Sequence, residues 1–159
     1  MVVRIKSFLR KEDGSFVPAQ GWEGPVGDPE YLEGALELTV NGVPLITPLM
    51  WDYVDQLWAY ILNSIEELKS EGSAHTYFPD QPIKLEVKRI SRGLIQVSIS
   101  SRSGKFDNSV QVQEDQFVQG VASEGEKFFL QMQELNPADR DQYEIEIEKC
   151  KSLLFSYFR

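Results

Sequence analysis

The sequence contains few of the residue types on which most enzyme and metal sites depend. It has one cysteine, Cys150, and one histidine, His75, in 159 residues. A single cysteine excludes an internal disulfide framework and is typical of a reducing compartment. A lone histidine has no assignable partner for nucleophilic catalysis or for a histidine-based metal site. We therefore predict no catalytic residue, no metal site and no cofactor.

Long apolar runs and nucleotide-binding motifs are also missing. No segment approaches the ~20 apolar residues that a membrane-spanning helix requires. Charged residues interrupt the apolar positions of the N-terminal segment, which argues against a signal peptide. The sequence contains no GxGxxG, GxxxxGK[ST] or GxSxG motif. Together these absences predict a single cytoplasmic domain over residues 1–159 that has no membrane association.

What the sequence does have is a segregated charge. Residues 12–80 carry thirteen acids and one base, Lys69, whereas residues 81–105 carry six bases and one acid, and the net charge is −9. An acidic segment of this kind attracts cations and repels nucleic acid and anionic membranes. The pattern favours a basic protein as partner and argues against nucleic acid, because the basic strands within 84–105 also lack an interleaved aromatic platform.

Alternating apolar and polar residues predict two hairpins and a meander. Residues 2–10 alternate and are followed by a turn at Asp13-Gly14 and a returning strand at Phe16-Val17. A second hairpin is predicted around Asn41-Gly42, which is the strongest short hairpin signal in a sequence. Residues 83–113 alternate through three segments, which predicts a three-stranded antiparallel meander with one apolar face.

A long helix is predicted between the second hairpin and the meander. Thr47 and Pro48 suit the N-cap and first helical positions, and Gly72 suits the end after about Ser70. Its apolar and aromatic positions cover roughly 220° of the helical wheel, too wide for a surface helix, so we expect it to form the core. The remaining wedge carries acids, which we expect to be exposed: Asp52, Asp55 and Glu66.

Two further helices are predicted at the C-terminal end. The first spans about 117–135, although Gly120 and Gly125 weaken its pattern, and the second begins at Asn136-Pro137 in the N-cap manner. The apolar face of the second helix is Tyr143, Ile147, Cys150, Leu154 and Tyr157. The fold class is therefore α+β: a mostly antiparallel sheet of hairpins and a meander, packed on one face by a long central helix and by C-terminal helices.

The long loop over residues 18–34 is the most conspicuous candidate for a binding surface. It combines two aromatic residues typical of interfaces with four acids. The alternative is that the aromatics cover the sheet and the acids only solubilise the loop. With the acids of the helix wedge, the predicted partner-binding set is Trp22, Glu23, Asp28, Glu30, Tyr31, Glu33, Asp52, Asp55 and Glu66.

The overall layout resembles small uncharacterised bacterial proteins of the polymorphic-toxin immunity type. The resemblance rests on the hairpin from Leu36 to Ile46, the Pro-started helix rich in Trp and Tyr, the meander and the C-terminal helices. It covers most of the chain as a layout and carries over no functional residue. It implies a cytoplasmic, non-enzymatic inhibitor that blocks a basic partner, such as a toxin domain.

Two other functions remain open at this point. One is a small-ligand-binding or enzymatic α+β domain, with a pocket between the meander and the helices near His75 or the loop over 18–34. The other is a DNA-mimicking regulator, which requires the acids to lie in rows with phosphate-like spacing.

Overall fold

The computed structural model describes residues 2–157 and confirms an α+β fold with two antiparallel sheets and three helices. The chain order is β1 (Val3–Arg10), β2 (Phe16–Pro18), β3 (Glu33–Val40), β4 (Val43–Ile46), β5 (Asp52–Tyr53), α1 (Val54–Glu71), β6 (Ser73–Tyr77), β7 (Ile83–Ser91), β8 (Leu94–Ser101), β9 (Asp107–Gln113), α2 (Glu114–Leu135) and α3 (Arg140–Tyr157). The first sheet has the strand order β2-β1-β3-β4, with β5 also paired to β3, and the second has the order β6-β7-β8-β9. Among residues 2–157, no helix combines the length and apolar character needed to cross a membrane.

Both predicted hairpins and the meander are confirmed. Asn41 and Gly42 have positive φ values of 49° and 79°, as in the two-residue turns whose twist matches that of the flanking strands. The strands form two sheets rather than one. Strands β4 and β9 meet at their edges through side-chain amides, since Asn41 Nδ2 donates to the Gln111 carbonyl at 2.8 Å and Asn108 Nδ2 to the Pro44 carbonyl at 3.3 Å.

The predicted start of the central helix is wrong by six residues. Pro48 begins a short 3-10 turn that ends at Met50, and Thr47 makes no side-chain cap bond. The chain is then extended and pairs as β5 with the start of β3, so backbone pairing in the sheet outcompetes helix formation here. Helix α1 begins at Val54 and ends, as predicted, at Gly72, which has a left-handed conformation. Asp52 therefore precedes the helix instead of lying on its wedge.

Helix α1 lies at the centre of one continuous hydrophobic core to which both sheets and all three helices contribute. Trp58 is fully buried, donates from Nε1 to Ser7 Oγ of β1 at 2.9 Å, and stacks on Phe128 of α2. The expected broad burial of the helix is confirmed except on the side of Tyr60, which is 38% exposed. The buried residues of α1 are Val54, Leu57, Trp58, Ile61, Leu62, Ser64, Ile65 and Leu68.

Two local features differ from the sequence prediction because tertiary contacts decide them. Residues 73–77, expected to be a connector, form the edge strand β6. Only Ala74 of this strand is buried, so the sequence shows no alternation of apolar and polar residues that would predict a strand. Helix α2 continues through both of its glycines because neighbouring elements approach them closely. A Cβ at Gly120 would lie 2.9 Å from the Cβ of Val3, and one at Gly125 would lie 3.1 Å from the Trp58 ring.

An ion pair between the exposed Arg89 and the buried Glu114 joins the second sheet to the two C-terminal helices. Arg89 of β7 donates from Nε and Nη2 to the two carboxylate oxygens of Glu114, at 2.7 and 2.9 Å, and the Tyr157 hydroxyl donates to Oε2 at 2.6 Å. Glu114 is the first residue of α2, where the helix dipole also favours a negative charge. The hydrogen bonds from Arg89 lower the pKa of this carboxyl.

Replacing Arg89 tests whether this ion pair supports the fold. We expect Arg89→Met to lower the free energy of unfolding by about 2 kcal/mol, because it leaves the buried Glu114 carboxylate without its cation. Lys84→Met is the matched control, since Lys84 lies 3.8 Å from a carboxylate, that of Glu86, which is itself 41% exposed, and its loss should cost less than about 0.5 kcal/mol. Urea denaturation measures both values. Equal effects of the two substitutions would contradict the structural role of the pair.

Candidate functional site

The loop between β2 and β3 folds against the domain, as its aromatic content predicted. Ala19 and Leu32 are buried at its two ends, and Trp22 packs partly buried against the core. The Trp22 indole N–H has no hydrogen-bond acceptor among residues 2–157. Glu23 is exposed, with no contact that ties it to the other candidate residues. Trp22 thus covers the core, as in the alternative interpretation of the loop.

The second half of this loop forms a turn whose side chains point in two directions. Asp28 Oδ1 accepts a hydrogen bond from the backbone N–H of Glu30 at 3.0 Å. On one side, Tyr31 packs on Tyr53 with ring centroids 5.4 Å apart, and Glu33 accepts from Arg10 at 3.2 Å. A shallow cavity of about 280 Å³ lies among these residues. On the other side, Glu30 faces helices α1 and α3.

Asp52 is not available for binding a partner. It is 2% exposed, and its carboxylate accepts hydrogen bonds from the backbone N–H groups of Tyr53, Asp80 and Gln81 at 2.7–3.1 Å. These bonds hold the turn that leads into β7. The prediction of an exposed Asp52 is therefore wrong, because the residue satisfies buried backbone donors at the strand β5 instead of occupying a helix face.

Asp55 lies in the first turn of α1, where a chain of polar contacts links it to the loop. The Tyr143 hydroxyl donates to Asp55 Oδ2 at 2.7 Å and accepts from Asn136 Nδ2 at 3.0 Å. Asn136 Nδ2 also lies 3.3 Å from the Pro29 carbonyl. The Asn136 side chain thus connects the loop to α3 and makes no N-cap bond, contrary to its predicted role. Burial raises the pKa of Asp55 even though Tyr143 donates to it.

Glu146 follows Tyr143 on α3 by three residues and is the most unusual acid in the structure. The residue is only 3% exposed. Its Oε1 accepts from Lys149 Nζ at 3.4 Å, whereas its Oε2 is buried and has no hydrogen-bond donor among residues 2–157. Burial raises the pKa of Glu146, Lys149 offsets part of this effect, and the nearby charge of Glu66 adds to it.

Glu30, Asp55 and Glu146 meet at one cavity of about 370 Å³ between the loop, α1 and α3. A fourth carboxylate, Asp139, also borders it, and no lysine or arginine does. We call this cavity the acidic groove. Its remaining walls are Gln56, Ala59, Tyr60, Phe129, Gln142 and Tyr143. Loop and helix acids that the sequence placed in separate groups therefore adjoin.

Sequence reasoning missed the contribution of α3 to this groove. The predicted apolar face of α3 is confirmed at Tyr143, Ile147 and Cys150, but Leu153 is buried where Leu154 was expected, and Leu154 and Tyr157 are only partly buried. Glu146 lies beside Ile147 on that buried face. A charged residue at a position facing the core was the signal that could have identified it, because such residues are rarely buried without a partner.

The two residues considered first for chemistry lie away from the groove. His75 is exposed on β6, with its ring edge-on to Tyr77 at 6.0 Å. Cys150 is fully buried, and burial raises its pKa to about 12, which makes it a poor nucleophile. Within residues 2–157, no group of three or more His, Cys, Asp or Glu side chains is placed to hold a metal ion.

Comparisons with protein-family models, curated proteins and solved structures found no match to this chain.

The burial of Glu146 predicts a pH-dependent effect of Glu146→Gln. A carboxyl whose pKa is raised by folding contributes stability below its unfolded pKa of about 4.3, and this contribution is lost as the pH rises through the folded pKa. Wild type should therefore lose stability relative to Glu146→Gln as the pH rises above about 4.3 and through the raised folded pKa. The charged and titratable groups that face Glu146 or border its cavity are Lys149, Glu66, Cys150, Glu30, Asp55 and Asp139.

Urea denaturation of both proteins over a pH series measures this difference. Glu148→Gln is the control, because Glu148 lies on the same helix with 63% of its side chain exposed and pairs with Lys151. The control should show no comparable divergence from wild type. A stability difference between wild type and Glu146→Gln that stays constant with pH would contradict the expected pKa shift.

Proposed function

We propose that this chain is a non-enzymatic, immunity-type binding protein that uses an acidic surface to block a basic partner protein, such as a toxin domain. The observation that carries the proposal is the convergence of Glu30 and Asp55 at the acidic groove, since these acids come from the two parts of the predicted binding set, the loop and the central helix. We define the acidic face as Glu30, Asp55, Glu66, Asp139 and Glu146.

The environment of these acids supports binding over simple solvation. Acids that only solubilise a domain lie in water, as Glu23 does. Asp55 and Glu146 are instead held where burial disfavours their charged form. Such perturbed carboxyls are concentrated at functional sites, where burial and neighbouring charges set the pKa that the function needs. A basic partner would relieve their cost by supplying positive charge.

The net charge supports the same function through association kinetics. A net charge of −9 favours encounter with a basic protein, and electrostatic steering of this kind raises association rates by about 10–10³-fold. Lys149, which lies beside the groove, is already paired with Glu146. This pair reduces the repulsion that a basic partner would meet there.

A capture experiment with two charge variants tests this function. The immobilised protein is exposed to an extract of its source cells, the retained protein is identified by mass spectrometry, and its association rate is measured with purified components. The test variant neutralises two exposed acids of the acidic face: Glu30→Gln and Glu66→Gln. The control neutralises two exposed acids elsewhere: Glu12→Gln and Asp115→Asn.

We expect a basic partner in a one-to-one complex, whose own activity is inhibited by wild type. The test variant should lower the association rate at least about tenfold at low salt, and the control should lower it much less, because the net charge of the two variants is the same. Added salt should remove most of the difference, since it screens charges beyond about 8–10 Å. Equal rates for the two variants, or a rate indifferent to ionic strength, would contradict the proposal.

A further inference from the structure

The two sheets end in the edge strands β2, β4, β6 and β9, and three of these are protected against further pairing. Strand β2 has three residues and ends at Pro18, which has no N–H to donate. Strands β4 and β9 face each other through the side-chain amides of Asn41 and Asn108. Strand β6, by contrast, pairs with β7 on one side and with no strand on the other within residues 2–157.

The sequence of β6 lacks the residues that usually protect a free edge. Natural sheets blunt such edges with lysine, other charges, proline or a bulge, because an open strand recruits other strands. Residues 73–77 read SAHTY, with no acid, lysine, arginine or proline, and they pair with β7 without a shift in register. Tyr77, at the end of the strand, is 58% exposed. The strand is thus suited to pair with a further strand.

The backbone groups that could make such a pairing belong to three residues: Ser73, His75 and Tyr77. The Phe78 N–H donates to the Ile83 carbonyl at 2.9 Å, so the even-numbered residues of this segment face β7. Because the hydrogen-bonding direction alternates along an antiparallel strand, the N–H and C=O groups of the odd-numbered residues point away from the sheet. Within residues 2–157, the one contact to these groups is that of Thr76 Oγ1 with the Tyr77 carbonyl at 3.3 Å.

These outward-pointing groups match those of a second copy of the same strand. When two β6 strands run antiparallel with His75 opposite His75, Ser73 of each copy lies opposite Tyr77 of the other. Every outward-pointing N–H and C=O group of the strand then has a partner. A register shifted by two residues would place Tyr77 opposite Glu71, which belongs to α1 and offers no strand backbone. The pairing is therefore self-complementary in one register.

The charges around β6 permit this pairing in a chain whose net charge is −9. No charged side chain lies on the strand itself, and β7 carries Lys84, Glu86 and Lys88 on the same face of the sheet. In the paired sheet, the lysines of the two copies are three strand spacings apart, about 14 Å. This separation exceeds the screening length of about 8–10 Å at ordinary salt. These charges therefore cause little repulsion between the two copies.

We propose that β6 is a self-association surface, through which two copies of this chain form a two-fold dimer with one continuous sheet. The strands pair antiparallel about His75. Pairing of one short strand buries less than the roughly 1,200–2,000 Å² of a standard interface, so we expect a weak dimer with a micromolar or higher dissociation constant. No residue of β6 lines the acidic groove, so the dimer does not depend on the proposed function.

Cysteine crosslinking tests the pairing and its register. In the dimer the two Cα atoms of residue 75 lie about 5.5 Å apart, within the range of about 4.4–6.8 Å that a disulfide requires. His75→Cys should therefore form a covalent dimer under mild oxidation. Ser73→Cys alone should not, because its two copies lie more than about 13 Å apart, whereas an equal mixture of Ser73→Cys and Tyr77→Cys should crosslink. The native Cys150 is fully buried and does not compete.

A charge placed on the strand tests the same pairing without a crosslink. His75→Lys puts two like charges directly opposite each other across the two-fold axis, so it should weaken dimerisation at least about tenfold. Ser109→Lys is the matched control, because it adds the same charge at an exposed position of β9 on the same face of the sheet. Sedimentation velocity over a series of protein concentrations measures the dissociation constants, and the control should match wild type.

Three results would overturn self-association. The first is an equal effect of the two lysine substitutions, and the second is crosslinking of Ser73→Cys alone to the same extent as His75→Cys. The third is a wild type that stays monomeric together with a His75→Cys variant that does not crosslink, which would leave the edge to a strand of another protein. Each of these results leaves the salt-dependent association expected under the proposed function unaffected.

Discussion

The burial of helix α1 is the constraint on which the rest of the structure depends. Trp58 at its centre is fully buried between Ser7 of β1 and the ring of Phe128 in α2. A buried aromatic of this size contributes about 3–5 kcal/mol, a large part of the ~5–15 kcal/mol that stabilises an ordinary domain. Because the apolar surface of α1 extends over most of its circumference, one sheet cannot cover it. The two sheets and α2 are arranged around it for that reason.

One side of α1 is not covered by the two sheets and α2. Polar contacts lie on that side, and the groove forms there. Asp55 is joined through Tyr143 to Asn136, which in turn lies against the loop at Pro29. Hydrogen bonds fix distance and direction but do not fill volume as apolar side chains do. The loop, α1 and α3 are therefore held at fixed positions with space between them. That space is lined by the carboxylates which the same contacts bring together.

Local patterns predicted the fold well, and failures occurred where a distant segment decided the outcome. The Asn41-Gly42 turn and the alternation over 83–113 follow from neighbouring residues alone, so both were found. Pro48 is equally compatible with a helix and with a 3-10 turn, and only pairing of Asp52 and Tyr53 with β3 decides between them. In the site, Glu30 and Asp55 were predicted because acids in a loop or on the polar side of a helix can be recognised from the sequence. Glu146 was not, because its position depends on how α3 packs on α1.

Glu146 occupies a position of α3 where burial disfavours the charged form of a carboxyl. A residue such as Gln or Met at this point of α3 would avoid the desolvation that raises the pKa of the carboxyl. The domain could afford the change structurally, since the neighbouring Tyr143, Ile147 and Cys150 already anchor the helix. Lys149 donates to one oxygen of Glu146, and the other oxygen is enclosed by the protein without a donor among residues 2–157. Lys149 therefore offsets only part of the desolvation, and protonation of the carboxyl relieves the rest, which is why the stability of the domain should depend on pH at this residue.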